Sequence, residues 1–249
     1  MGLEPGLLLV LFLIWFVAGT IKGTVGIGMP TAAVGMMSQV IDPRAAIAMV
    51  VVPSMLTNAW QVWRSGDVLG AIRRYKRFLV CLVAMILLVS LLVTAHVPTD
   101  TLIFVLGCVV VTFSVMSLGW APPIIPQRHD RIGQVLAGGV AGGLGGLTAI
   151  WAPPMIVYLT GRRVEKDEFV RASGLIIFTG TLPLLFTFSA NGMMDREDMV
   201  LGAAMTLPAL LGFQVGERIR GFLDTDRFRT AVLILFLLLG LNLIRRAFL

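Results

Sequence analysis

The chain of 249 residues is 57% hydrophobic and only 14% charged, with a mean hydropathy of +0.90. Soluble domains carry about 25% charged residues, so that class is excluded. The net charge of +6 does not point to nucleic acid either, because the basic residues sit in short loops between apolar runs, as membrane topology signals do.

Taken in chain order, the first apolar segment is 5–21. It follows Glu4 with no Lys or Arg, and no small-x-small cleavage site precedes polar chain, so it reads as a retained span rather than a leader. A glycine-rich stretch, 19–30, comes next, and then a helix over 45–63. The runs 78–95 and 101–118 hold 18 uncharged residues each, and 172–190 holds 19. A helix needs roughly 20 apolar residues to cross a ~30 Å hydrocarbon core. Two further helices are predicted over 199–216 and 228–245. Cys81 and Cys108 lie inside apolar runs, without metal-ligand spacing and with little reason to pair.

The loop 64–77 carries Arg64, Arg73, Arg74, Lys76 and Arg77, which places it in the cytoplasm. Arg128 and Arg131 precede one uncharged run, 132–161, and Arg162, Arg163, Lys166 and Arg171 follow it. A single pass over 132–161 would put two basic loops on opposite sides. A re-entrant hairpin keeps both inside, and Gly138, Gly139, Gly142, Gly143, Gly145 and Gly146 supply the flexibility for the turn. With the group at Arg218, Arg220, Arg227 and Arg229, this arrangement puts 15 of the 20 basic residues inside. Arg245 and Arg246 then fall outside, against the rule.

The chain also reads as written twice. Residues 18–26 resemble 137–145 at an offset of 119, while Pro30 with Pro154, Ala48 with Ala172, and 100–101 with 224–225 match at 124. A five-residue insertion before Pro154 reconciles the two registers. The expected fold is an all-α polytopic membrane protein of two inverted repeats, 1–127 and 128–249, within one membrane domain. Each repeat is a re-entrant or broken helical hairpin plus three transmembrane helices, about eight hydrophobic segments in all. Simple spans throughout would make the repeats parallel instead.

In such an architecture, broken helices aim dipoles and backbone N–H groups at a substrate near the repeat interface. Candidate binding residues are therefore Gly23, Thr24, Gly26 and Gly28 in the first glycine-rich segment, and Gly142, Gly145, Gly146 and Thr148 in the second, with Thr179 as a weaker equivalent. Close helix packing is the competing explanation for any single glycine. Lys22 is the only charge between residues 5 and 41. At membrane depth it is a ligand or counter-ion candidate, unless its amine reaches a nearby interface. Ser54, Asn58 and Gln61 share one helix face and can add inward hydrogen bonds, whereas Trp60 and Trp63 suit an interfacial belt.

No Asp or Glu lies inside any expected span, and neither His96 nor His129 is central, which argues against a carboxylate proton relay. A membrane enzyme would need a cluster of catalytic groups, and the spans offer none, so no cofactor is expected. Amides, hydroxyls and one cation suit a small anion. An anion channel would use the same elements, and a permease for some other small anion remains an alternative. A coupling ion and a homodimer are left open; the lipid bilayer is the expected surrounding, and nucleic acid is not an expected partner.

At this point the residues carry a resemblance. The run Gly-Thr-Val-Gly-Ile-Gly-Met-Pro at 23–30 follows an apolar helix and has a glycine-rich counterpart ending in Pro153 and Pro154. Gly212-Phe213-Gln214-Val215-Gly216-Glu217-Arg218 is followed by Arg227-Phe228-Arg229 and a last helix closing on Gly240-Leu241-Asn242. Across essentially its whole length the chain resembles the sulfite exporter TauE/SafE family of membrane permeases. The resemblance implies a bacterial inner-membrane transporter of sulfur-containing anions such as sulfite, sulfoacetate, other organosulfonates or thiosulfate.

Overall fold

A computed structural model of the protein describes residues 4–26, 28–94, 96–119, 123–219, 222 and 225–248. Ile27 of the first glycine run, and Arg220 and Asp224 near the end of the chain, lie outside the described residues. Among those described, the chain forms helices and no strand: α1 (Pro5–Val25), α2 (Met29–Met37), α3 (Pro43–Met49), α4 (Val51–Ser65), α5 (Val68–Val89), α6 (Thr99–Gly119), α7 (Asp130–Thr148), α8 (Ala152–Gly161), α9 (Lys166–Ala190), α10 (Arg196–Ile219) and α11 (Thr225–Arg246). Seven of the described segments are long and apolar enough to cross a membrane: α1, α3 with α4, α5 with a π-helical turn at Ser90–Thr94, α6, α9, α10 and α11. The fold is all-α and polytopic.

Two helices begin earlier than their uncharged runs. The helix expected from residue 78 starts at Val68, and the one expected from 172 starts at Lys166. Asp67 caps α5 by accepting from the Gly70 amide at 3.2 Å, so Arg73, Arg74, Lys76 and Arg77 lie on helix rather than loop. Long basic side chains extend such a helix past the apolar boundary, because their charges reach water while the stems stay on apolar surface.

The hairpin expected over 132–161 is present. The αL residue Ala149 (φ 55°) ends α7, and α8 then runs back towards the α7 start. Near that start Tyr158 Oη donates to Asp130 at 2.8 Å, Arg162 Nε pairs with Asp130 at 2.8 Å, and the Ile125 amide donates to the Gly161 carbonyl at 2.8 Å. Both ends of the hairpin therefore sit at one end of the molecule. In the first half, Gly26 (φ 91°) and Gly28 (φ 95°) break the chain between α1 and α2 in the same manner.

The long helices pack in four main pairs. α1 lies parallel to α10 through Gly19 and Gly23 on one helix and Gly212 and Gly216 on the other, so close that a Cβ on any of the four would enter the facing backbone. α7 lies parallel to α5, with Gly138 and Gly142 each so placed that a Cβ would lie 2.5 Å from a carbonyl oxygen, of Phe78 and Leu82 respectively. Water drives no association between helices in lipid, so close approach through small residues is what holds such pairs. α4 runs antiparallel to α9, with Arg171 Nε donating to the Ser65 carbonyl at 3.2 Å and Gln61 Nε2 to the Val170 carbonyl at 2.7 Å. α6 and α11 are also antiparallel: Arg229 reaches the Ser117 carbonyl (3.1 Å), and Phe104 meets Phe248 at the opposite end (5.5 Å between ring centroids).

One end of the molecule gathers the basic groups. There Glu168 pairs with Arg74 and Arg171, each at 3.1 Å, and accepts from Tyr75 Oη at 2.8 Å. Arg246, which breaks the charge rule, lies at the other end and donates to the Ser38 carbonyl at 2.5 Å, just past the C-terminus of α2. Arg44, at that same end, donates to the Val97 carbonyl. Both guanidiniums bind backbone carbonyls near helix ends, a local role that accounts for basic residues on the less basic side.

Candidate functional site

Lys22 sits one turn before the αL break at Gly26, on the last turn of α1, and is only 4% exposed. Asn58 Nδ2 donates to the Ser54 carbonyl one turn back at 2.7 Å, and this bond orients the amide so that Oδ1 accepts from Lys22 Nζ at 2.9 Å. Among the described residues no carboxylate lies within ion-pairing distance of Lys22. An ammonium at the centre of a membrane helix costs about 2.5–3.5 kcal/mol on insertion scales, and one neutral amide offsets only part of that.

The ammonium stands at a cavity of about 260 Å³ bounded by α1, α4, α9 and α10. Its polar wall is Lys22, Thr57, Gln61 and Ser65, and its apolar wall includes Met29, Trp60, Leu210 and Phe213. Exposed Arg64 and Glu217 also line it, at the basic end of the molecule. Lys22 lies deep in the wall, Arg64 and Glu217 bring one charge of each sign to the exposed end, and the remaining groups offer hydroxyl, amide and apolar contacts. Chemically such a lining can hold a small polar molecule with some apolar surface.

Of the residues singled out in the sequence, Lys22, Gly23, Gly26 and Gln61 line this cavity. Asn58 is bonded to Lys22, and the buried Ser54 hydroxyl has no hydrogen-bond partner. Thr24 turns away and donates to the Thr20 carbonyl at 2.6 Å. Gly28 belongs to a second, much smaller cavity of about 10 Å³, together with Thr31, Ala149, Trp151, Met155 and Ile177. Gly142 and Gly146 face α5, Gly145 faces the Trp151 ring, and Thr148 donates to the Leu144 carbonyl at 2.8 Å. None of these four, nor Thr179, lines either cavity. In this structure the second glycine segment is occupied by packing, Gly142 against the Leu82 backbone, Gly146 against Val89 and Gly145 against the Trp151 ring.

Trp60, assigned from sequence to an interfacial belt, lines the cavity while its neighbour Trp63 stays 71% exposed. Leu210, Phe213 and Glu217 of α10 are residues that sequence reasoning passed over. The signal for them existed: Gly212 and Gly216 carry the same spacing as Gly19 and Gly23, which pairs α10 with α1 and so brings its residues to Lys22.

The family model for sulfite exporter TauE/SafE matches residues 11–243. The chain belongs to that family. No curated protein and no solved structure gives a match to it. As a member of the TauE/SafE family, and with seven apolar helices of spanning length among the described residues, the chain is a multi-pass membrane protein of a transporter type.

Proposed function

We propose that this protein is a secondary transporter moving a small sulfur-containing anion, of the sulfite or organosulfonate kind, across the bacterial inner membrane by alternating access. The observation that carries the reading is Lys22: a buried ammonium with no carboxylate partner among the described residues, at the wall of a cavity large enough for an oxyanion. The bound anion supplies the missing counter-charge. The second Nε2 hydrogen of Gln61 donates to it, the Thr57 and Ser65 hydroxyls turn to it from the Ser54 and Gln61 carbonyls they otherwise bond, and Trp60, Met29 and Phe213 pack against its apolar part.

The repeats 1–127 and 128–249 are related by inversion in this reading. Each contains a broken pair of helices followed by three long ones. Exchanging the halves turns the α1–α10 pair into the α7–α5 pair, and it maps α4 onto α9 and α6 onto α11. Both of those self-paired partners pack antiparallel, as a two-fold axis in the membrane plane requires. The breaks set the register: caps Gly26 and Ala149, N-caps Gly28 and Trp151, and Pro30 and Pro153 all lie 123 residues apart. Pro30 thus corresponds to Pro153 rather than Pro154, and the glycine runs matched at 119 are one helical turn out of step. With the basic end in the cytoplasm, the Lys22 cavity faces inward.

Thermal unfolding of the purified protein against sulfite, sulfoacetate, thiosulfate, sulfate, acetate and simple cations tests the substrate class. A ligand that binds only the folded state at a hundred times its Kd adds about 2.7 kcal/mol, a clear rise in melting temperature. A rise with a sulfur oxyanion is expected; a rise with a cation alone overturns the reading. Topology has its own test. A label on the N-terminus should react with an impermeant reagent from outside intact cells, and protection there is incompatible with the inverted arrangement.

A further inference from the structure

The two helix breaks are related in backbone but opposite in side chains. At the first, Lys22 lines the open cavity described above, while Gly28 carries no side chain and borders the small one. At the register of 123 residues their counterparts are Gly145 and Trp151, and here the space is filled. The Trp151 indole, 3% exposed, lies on Gly145, where a Cβ would stand 2.5 Å from its Cε3, and on Gly180, where a Cβ would stand 3.3 Å from its Cζ2. At Gly145 only glycine admits the ring so deeply, and at Gly180 a methyl would press it by a few tenths of an ångström.

The same residue closes the small cavity between the breaks. That space of about 10 Å³, roughly one water, is too small for any oxyanion. Yet its wall is not wholly apolar. Thr31, 1% exposed, lines it with a hydroxyl that finds no hydrogen-bond partner among the described residues. The N-termini of α2 and α8 end on it as well, with Pro30, Pro153 and Pro154 in their first turns supplying no N–H, so that the helix dipoles and the few remaining first-turn amides face it. Helix ends of this polarity attract anions. A dry plug over such groups is a closed door rather than a finished core. Beside it Ala149 holds the left-handed conformation that a residue with a Cβ rarely adopts (φ 55°).

From this geometry we infer that Trp151 is the gating residue of the far half of the transport path, and that its departure exposes the Thr31 hydroxyl and the ends of α2 and α8 as the anion's next station. The inference rests on the transporter reading, but its test needs no substrate. In a protein lacking Cys81 and Cys108, Thr31→Cys places a nearly isosteric thiol in the small cavity. Its modification by an impermeant methanethiosulfonate applied outside right-side-out vesicles is then timed. With Trp151 present the thiol should react slowly. Trp151→Ala should speed the reaction at least tenfold, whereas Trp151→Phe, which keeps a ring, should leave it near the original rate. If Trp151→Ala aggregates, Gly145→Ala is timed in its place, since the added methyl collides with the indole and should displace it. Equal rates in the tryptophan and alanine forms, with both eluting as folded protein, overturn the gate. An absent anion response in thermal unfolding would sink the substrate reading while leaving this result intact.

Discussion

Lys22→Ala abolishes the thermal response to every anion, while the melting temperature without ligand stays near that of the unmodified protein. The two halves of this expectation have different causes. Binding is lost because Lys22 is the cation in the deep wall of the cavity, while Arg64 and Glu217 line it as exposed groups. Stability changes little because two terms oppose each other. Removing a buried ammonium relieves a cost of about 2.5–3.5 kcal/mol, whereas the Asn58 Oδ1 left without its donor costs about 1–3 kcal/mol. A structural lysine would behave differently, with a clear fall in melting temperature when it is removed. Titration calorimetry with the anion that stabilises the parent protein checks the first half, and unfolding without ligand checks the second. Affinity of the parent's strength in the variant ends the assignment of Lys22 to the anion.

The second large effect is on folding, and its sign depends on which glycine is changed. Gly212→Ala places a methyl in the backbone of α1, against the Phe16 carbonyl. Backbone cannot swing aside as a side chain does, so α1 and α10 must separate. A loss above the 1–3 kcal/mol of ordinary overpacking is expected, with a marked drop in melting temperature and in yield of monodisperse protein. Gly139→Ala is the matched control. It lies in α7 with nothing within 4 Å of a built Cβ, so alanine should be neutral or stabilise by roughly 0.5–1 kcal/mol through helix propensity. Unfolding of both variants in the same detergent checks the contrast. Equal stability for the two would mean that the α1–α10 contact does not hold the fold.

The apolar runs and the basic loops were enough to read the polytopic fold, the hairpin over 132–161 and the side on which the basic groups gather. Each is governed by local composition: length against bilayer thickness, charge against the hydrocarbon core, glycine where backbone must turn. The isolation of Lys22 was visible for the same reason, since one charge among 37 residues from 5 to 41 stands out at membrane depth. Asn58 was legible by helical spacing alone. Glycine was ambiguous, however, because the same absence of a Cβ serves a ligand, a turn or a neighbouring helix. Only tertiary packing separates those uses, sending Gly142 and Gly146 to α5, Gly145 to Trp151, and Gly26 to the break beside the cavity. For the proposed repeats, the register was beyond the sequence too. The glycine runs match at 119, whereas the αL caps at Gly26 and Ala149, on which the proposed register is based, lie 123 residues apart. Composition along the chain therefore determined that this protein lives in a membrane and carries one basic residue, Lys22, alone among apolar residues, a cation whose burial only the fold decided. Which surfaces that cation faces was decided by contacts between residues as far apart as Lys22 and Phe213, whose proximity no local pattern encodes.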